Sequence, residues 1–177
     1  MGARLSKTDW IKFGIKELSD NGHHEIKAQI LATKLGVSRG SFYWHFEDIA
    51  DFEAHVLAAW KSGATENIIA TLELKLDPKD RLQQLIELAL KPSNLERAVR
   101  SWSVSNSTVA EAVADIDKRR FDYIERILKD IGVNQSDIRY RALLLYWAGI
   151  GRTIVENKKL RSMSAQNVKS LVSLMSS

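Results

Sequence analysis

Catalytic chemistry has little to work with in this chain. There is no cysteine, which removes thiol nucleophiles, thiolate metal sites and disulfides. Of the four histidines, His23 and His24 are adjacent in a polar connector with Glu25, and they lack the i,i+4 spacing that puts two ligands on one helix face. They read as a solvated loop. Asp115, Asp117 and Asp122 are interleaved with Lys118, Arg119 and Arg120 and read as a solvated charged face. No catalytic residue, metal or cofactor is therefore expected. Recognition chemistry is concentrated in Ser38-Arg39-Gly40-Ser41-Phe42-Tyr43-Trp44-His45. Arginine can donate two parallel hydrogen bonds to guanine N7 and O6. Glycine lets a backbone come close, and tyrosine reaches a phosphate or a thymine methyl.

These residues need a mount, and the flanking sequence supplies one. A short helix is predicted over 27–34, a tight turn at 35–37 and a second helix from Ser38 to Trp44. Leu31 is the inward anchor and Ala32 the small contact where two helices cross. Leu35-Gly36-Val37 forms the turn, with φ > 0 expected at Gly36, and Phe42 falls on the buried side. Ser38 is expected to cap the second helix, turning its first N–H groups outward. Arg39, Gly40 and Tyr43 face away from Phe42. Trp44 fits either burial in an aromatic corner or contact with a ligand, and Phe46 turns back to the core.

The remainder reads as helix without a β signal. Residues 7–21 carry Trp10, Phe13, Gly14 and Leu18 at helical spacing and stop at Asn21-Gly22. Asp48 caps a fourth helix bearing Phe52, Val56, Leu57 and Trp60, which runs on past Gly63 to about Leu74. Asp77-Pro78 opens another, and Pro92-Ser93-Asn94 interrupts the pattern. A long helix spans Thr108–Ile131 and ends at Gly132. Ser136 caps one reaching about Lys158, and Ser164 caps the last. Only two prolines in 177 residues suit long helices. With no apolar run long enough for a membrane span, no signal-peptide core and no cysteine, a cytoplasmic protein is expected.

The run from Leu35 to Phe46 closely resembles the recognition segment of TetR-family transcriptional regulators, and the resemblance covers residues 7–60. It implies an all-α chain: a three-helix helix-turn-helix DNA-binding domain over 1–49, then a larger helical ligand-sensing and dimerisation domain over 50–177. It further implies a homodimeric repressor on a near-palindromic double-stranded operator, controlled by an unidentified small-molecule effector. The DNA-contacting residues would be Lys27, Ser38, Arg39, Gly40, Ser41, Tyr43, Trp44 and His45. Trp60, Trp102, Phe121, Tyr146 and Trp147 either line an apolar effector pocket or are ordinary core. The last two helices would pair across the dimer. Tyr146, Gly149, Ile150 and Thr153 share one face there, and Ala148-Gly149-Ile150-Gly151 suits either that seam or a tight internal crossing.

Two departures from the family pattern weaken the footprint. Lys27 stands where the family often opens the helix with Thr or Ser, and Glu47 and Ile49 replace basic residues after the His-Phe pair. Residues 1–47 hold seven Lys or Arg against five Asp or Glu, with Arg4, Lys7, Lys27, Lys34 and Arg39 the candidates for phosphate. A protein-interaction module that has lost strong DNA binding is the alternative.

Overall fold

The computed structural model describes residues 5–91 and 93–177, and the side chains of all of these except Lys158 and Arg161. Arg4 and Pro92 therefore lie outside the described residues. Among the described residues there is no strand. The helices are α1 (Lys7–Asn21), α2 (Ala28–Lys34), α3 (Arg39–Tyr43), α4 (Ile49–Lys61), α5 (Asn67–Glu73), α6 (Pro78–Ala89), α7 (Asn94–Ser103), α8 (Ser107–Ile131), α9 (Gln135–Ile154), α10 (Lys158–Arg161) and α11 (Ala165–Met175). Among the described residues no helix is long and apolar enough to cross a membrane.

Two compact units divide the chain. The first runs to Ala64 and adds Asn94–Val113, and the second comprises Thr65–Ser93 and Ala114–Ser177. Compactness thus groups α4, α7 and the start of α8 with the N-terminal helices, which a cut after residue 49 separates.

In the first unit, α1 begins with a reciprocal cap. The Ser6 hydroxyl accepts from the Asp9 amide at 3.2 Å while Asp9 Oδ2 accepts from the Ser6 amide at 2.9 Å. Trp10 and Leu18 of α1, Leu31 and Ala32 of α2, Phe42 of α3 and Phe52 of α4 are all fully buried. The Asp48 side chain caps α4 as expected, accepting from the Asp51 amide at 2.8 Å. Beyond Lys61 the expected continuation is present with one interruption: Ser62–Glu66 forms a π-helical turn before α5. Thr65, where the second unit begins, is buried and its hydroxyl accepts from Arg120 Nε at 3.1 Å, while Arg119 pairs with Glu66 at 2.8 Å, all four residues lying in that second unit.

The second unit is built on α8. Ile124, Ile127 and Leu128 of α8 are buried with Leu82 and Ile86 of α6 and with Val168 and Val172 of α11. Two arginines of α9 close the carboxyl ends of other helices, where the unpaired carbonyls of a helix attract a cation. Arg141 donates to the carbonyls of Leu174, Met175 and Ser177, and Arg152 to those of Ala89, Leu90 and Lys91.

The α9 boundaries correct the sequence reading, and Gly149 fits the internal crossing that is one of its two alternatives. Asn134, not Ser136, caps the helix, its side chain accepting from the Ser136 amide. The helix ends at Ile154 because Val155 is extended, and Asn157 then caps α10. Tyr146, Gly149, Ile150 and Thr153 are half-buried within the chain. A Cβ placed on Gly149 would lie 3.8 Å from the Ala89 Cβ, so this glycine serves an internal crossing with α6. The solvent-facing apolar stripe of α9 is instead Tyr140, Leu144, Trp147 and Ile154, each at least half exposed.

Candidate nucleic-acid interface

The turn between α2 and α3 forms as its residue types dictate. Gly36 has φ of +68°, its amide donates to the Thr33 carbonyl at 3.1 Å, and the Val37 amide donates to the Ala32 carbonyl at 3.0 Å. This doubly bonded stop closes α2 and sends the chain into α3. The α3 helix is then fixed from beneath by Phe42. Its ring meets Trp10 edge-on at 5.5 Å and lies 5.1 and 5.4 Å from Phe46 and Phe52.

Opposite Phe42, the structure brings Arg39, Gly40, Tyr43 and Trp44 together on one exposed surface, with Trp44 71% exposed. Of the two readings of Trp44, burial is thereby removed. Arg39 Nη2 donates to the Tyr43 hydroxyl at 2.8 Å, and the guanidinium sits 5.2 Å from the Tyr43 ring centre. Ser41 is half-buried beside them, and Lys27 is exposed in extended backbone before α2.

One expectation is corrected here, and two further residues are engaged within the chain. Ser38 occupies the cap position of α3, but its exposed side chain makes no capping bond. His45 is partly buried, its Nε2–H donating to the Leu5 carbonyl at 2.8 Å, so it ties α3 to the segment before α1. Lys34 is not a free cation: its ammonium bonds Glu17 at 2.6 Å and Glu25 at 3.0 Å. The polar connector is likewise more than a solvated loop. His23 stacks on Trp102 at 4.4 Å and donates to Glu53 at 2.6 Å, so residues from the connector, α4 and α7 meet behind the helix-turn-helix. Sequence reasoning missed this cluster, because its members lie far apart along the chain.

The Lys34 ammonium, by its hydrogen bond, holds the Glu17 carboxyl below the usual carboxylate range. Burial opposes the shift and the Asn21 amide adds to it. A carboxylate with a lower pKa folded than unfolded adds stability that is complete above its unfolded value, about 4.3. That stability is lost as pH falls through the folded value. Urea midpoints of wild type and Glu17→Gln should therefore differ at pH 7, wild type being higher, and converge below about pH 4. A gap that persisted undiminished at pH 3 would contradict the assignment.

The five aromatic side chains read as pocket or core are divided. Trp60 and Trp102 are buried in the first unit, Phe121 and Tyr146 are half-buried in the second, and Trp147 is 60% exposed. A groove of about 270 Å³ in the second unit is polar, lined by Lys75, Asp80, Gln83, Gln84 and Glu87, none of them in that set. The acidic run on α8 is a surface feature, with Lys118 and Asp122 paired at 2.6 Å.

No protein-family profile and no curated protein matches the chain. Solved structures do. A TetR-family transcriptional regulator from Streptomyces coelicolor superposes with a TM-score of 0.74 over 97% of this chain and 91% of its own, at 14% identity. This chain has the TetR-family fold. Two further likenesses extend along nearly the whole of this fold. A protein from Saccharomonospora viridis, assigned as a transcriptional regulator and solved with choline, matches with a TM-score of 0.74 and 20% identity, covering 96% of this chain and 92% of that one. FadR of Bacillus subtilis, solved with stearoyl-CoA, matches with a TM-score of 0.70 and 17% identity, covering 97% and 98%. At these identities the TetR-family fold is what is shared.

Proposed function

We propose that the chain is a transcriptional repressor that binds a near-palindromic double-stranded operator as a homodimer and is controlled by a small organic effector. Residues 1–49 would carry DNA binding, and 50–177 effector sensing and dimerisation. The observation carrying this reading is the exposed Arg39–Gly40–Tyr43–Trp44 surface, mounted on a helix whose other side is locked into an aromatic core. An arginine fork, a bare backbone and two aromatic faces on a short helix suit base edges in a major groove. The apolar stripe of α9 supports self-association, since monomers rarely expose such a continuous patch. A two-fold dimer would set its recognition helices about 34–36 Å apart. Support for an effector comes from the fold neighbours solved with choline and with stearoyl-CoA.

Selection from a random duplex pool tests the reading. Enrichment of an inverted repeat is expected; failure to enrich any sequence would favour the protein-interaction alternative. Gly40 supplies a sharper version. A Cβ there would meet only the Ser38 hydroxyl, at 3.7 Å, so nothing within the chain requires glycine. Gly40→Ala should raise stability by up to about 1 kcal/mol, the helix-propensity difference, while weakening operator binding in a gel shift. Undiminished affinity would mean that no ligand backbone approaches this position.

A further inference from the structure

The geometry points to Tyr43 as a positioning residue that holds Arg39 to read one guanine in each operator half-site, an inference that rests on the DNA-binding reading above. Tyr43 is itself anchored. Its ring lies edge-on to the buried Phe42 at 5.3 Å and 82°, so the aromatic core steadies the base of the side chain. One helical turn earlier, Arg39 donates from Nη2 to the Tyr43 hydroxyl at 2.8 Å, with its guanidinium 5.2 Å from the same ring centre. The long, rotamer-rich arginine is thereby tied at its tip before any partner arrives, which lowers the ordering cost of binding.

The tie leaves a usable fork. Guanidinium has five N–H donors, and one is occupied by the hydroxyl. The remainder still present two parallel donors, matching the adjacent N7 and O6 acceptors of guanine. Adenine offers N7 but sets an amino donor beside it, where a second arginine N–H meets like polarity. Tyr43 accepts from Arg39 through its oxygen, and the role inferred for that oxygen is orientation of Arg39. Both side chains are exposed, so the pair contributes little to folding and can be altered without unfolding the chain.

The test uses the full chain, the duplex selected by wild type, and variants Arg39→Ala, Tyr43→Phe and Tyr43→Ala. Each half-site guanine is replaced in turn by adenine and by 7-deazaguanine, which lacks the N7 acceptor. Wild type should lose about tenfold to a hundredfold in affinity at one guanine under either replacement. Arg39→Ala should be indifferent to both. Tyr43→Phe keeps the ring but removes the oxygen, and it should lose at least threefold of that discrimination with its thermal midpoint unchanged. Tyr43→Ala should lose more. Full discrimination by Tyr43→Phe would overturn the inference, as would equal weakening on every sequence, the mark of a phosphate contact. Those outcomes leave DNA recognition standing. A wild-type protein that selects no sequence would remove the DNA-binding reading, and this inference with it.

Discussion

Gly14→Val should destabilise the N-terminal unit by about 3 kcal/mol, the upper part of the range for overpacking a filled core, and should abolish the proposed operator binding with it. A Cβ built on Gly14 would stand 2.4 Å from Phe52 Cζ, 2.9 Å from Phe52 Cε1 and 3.0 Å from Val56 Cγ2. None of these atoms has room to retreat. Phe52 is fully buried and is gripped by Phe46 at 4.9 Å and Phe42 at 5.4 Å. Pushing its ring aside moves Phe42, and Phe42 is what seats α3. Gly14→Ala is the instructive intermediate, because alanine regains up to about 1 kcal/mol of helix propensity against a smaller clash. Urea unfolding of the three proteins should rank wild type above alanine above valine. A valine variant with the wild-type midpoint would mean that α1 and α4 do not cross where Gly14 lies.

Replacing Leu144 and Trp147 together by glutamate should convert the proposed homodimer to a monomer at micromolar concentration. Tyr140, Leu144, Trp147 and Ile154 are spaced by four, three and seven residues, the period of a packed helical seam, and they are 50%, 51%, 60% and 68% exposed. Gly151 lies in the same row with nothing within 4 Å of its would-be Cβ, leaving space for a second helix to approach. Two carboxylates placed in that row would have to be desolvated for the seam to close, which is costly without partners. Sedimentation should report half the wild-type mass with helical circular dichroism retained, since neither side chain supports the interior. Operator affinity should fall roughly 10²–10⁴-fold, because each half-site would then be bound alone. Retention of the dimer would move the seam elsewhere, and loss of helicity would mean that the stripe is internal.

What the sequence made legible follows from the range of the interactions involved. The Leu35-Gly36-Val37 turn and the burial of Phe42 are local or periodic, so residue types alone locate them, and the caps at Asp48 and Ser164 are readable for the same reason. The π-helical turn at Ser62–Glu66 was not, because one residue of extra winding changes no residue type. Lys34 looked like a phosphate ligand since its partner Glu17 lies 17 residues away and is brought near only by the fold. The stretch Ala148-Gly149-Ile150-Gly151 leaves the face of α9 open, because small residues suit either side of a helix. Only the position of Ala89 shows that Gly149 faces inward.

The placement of the tryptophans has an optical consequence. Trp10, Trp60 and Trp102 are shielded from water, whereas Trp44 and Trp147 are 71% and 60% exposed, one on the recognition helix and one on the α9 stripe. Two of the five indoles should therefore emit at longer wavelength and be open to iodide quenching. Single phenylalanine replacements of these two would assign the quenchable signal, one reporting on the proposed DNA face and the other on the proposed seam. The chain brings no thiol of its own. A dye attached through an introduced cysteine would have a single attachment point, so both faces can be followed in one unfolding or binding titration without chemical ambiguity.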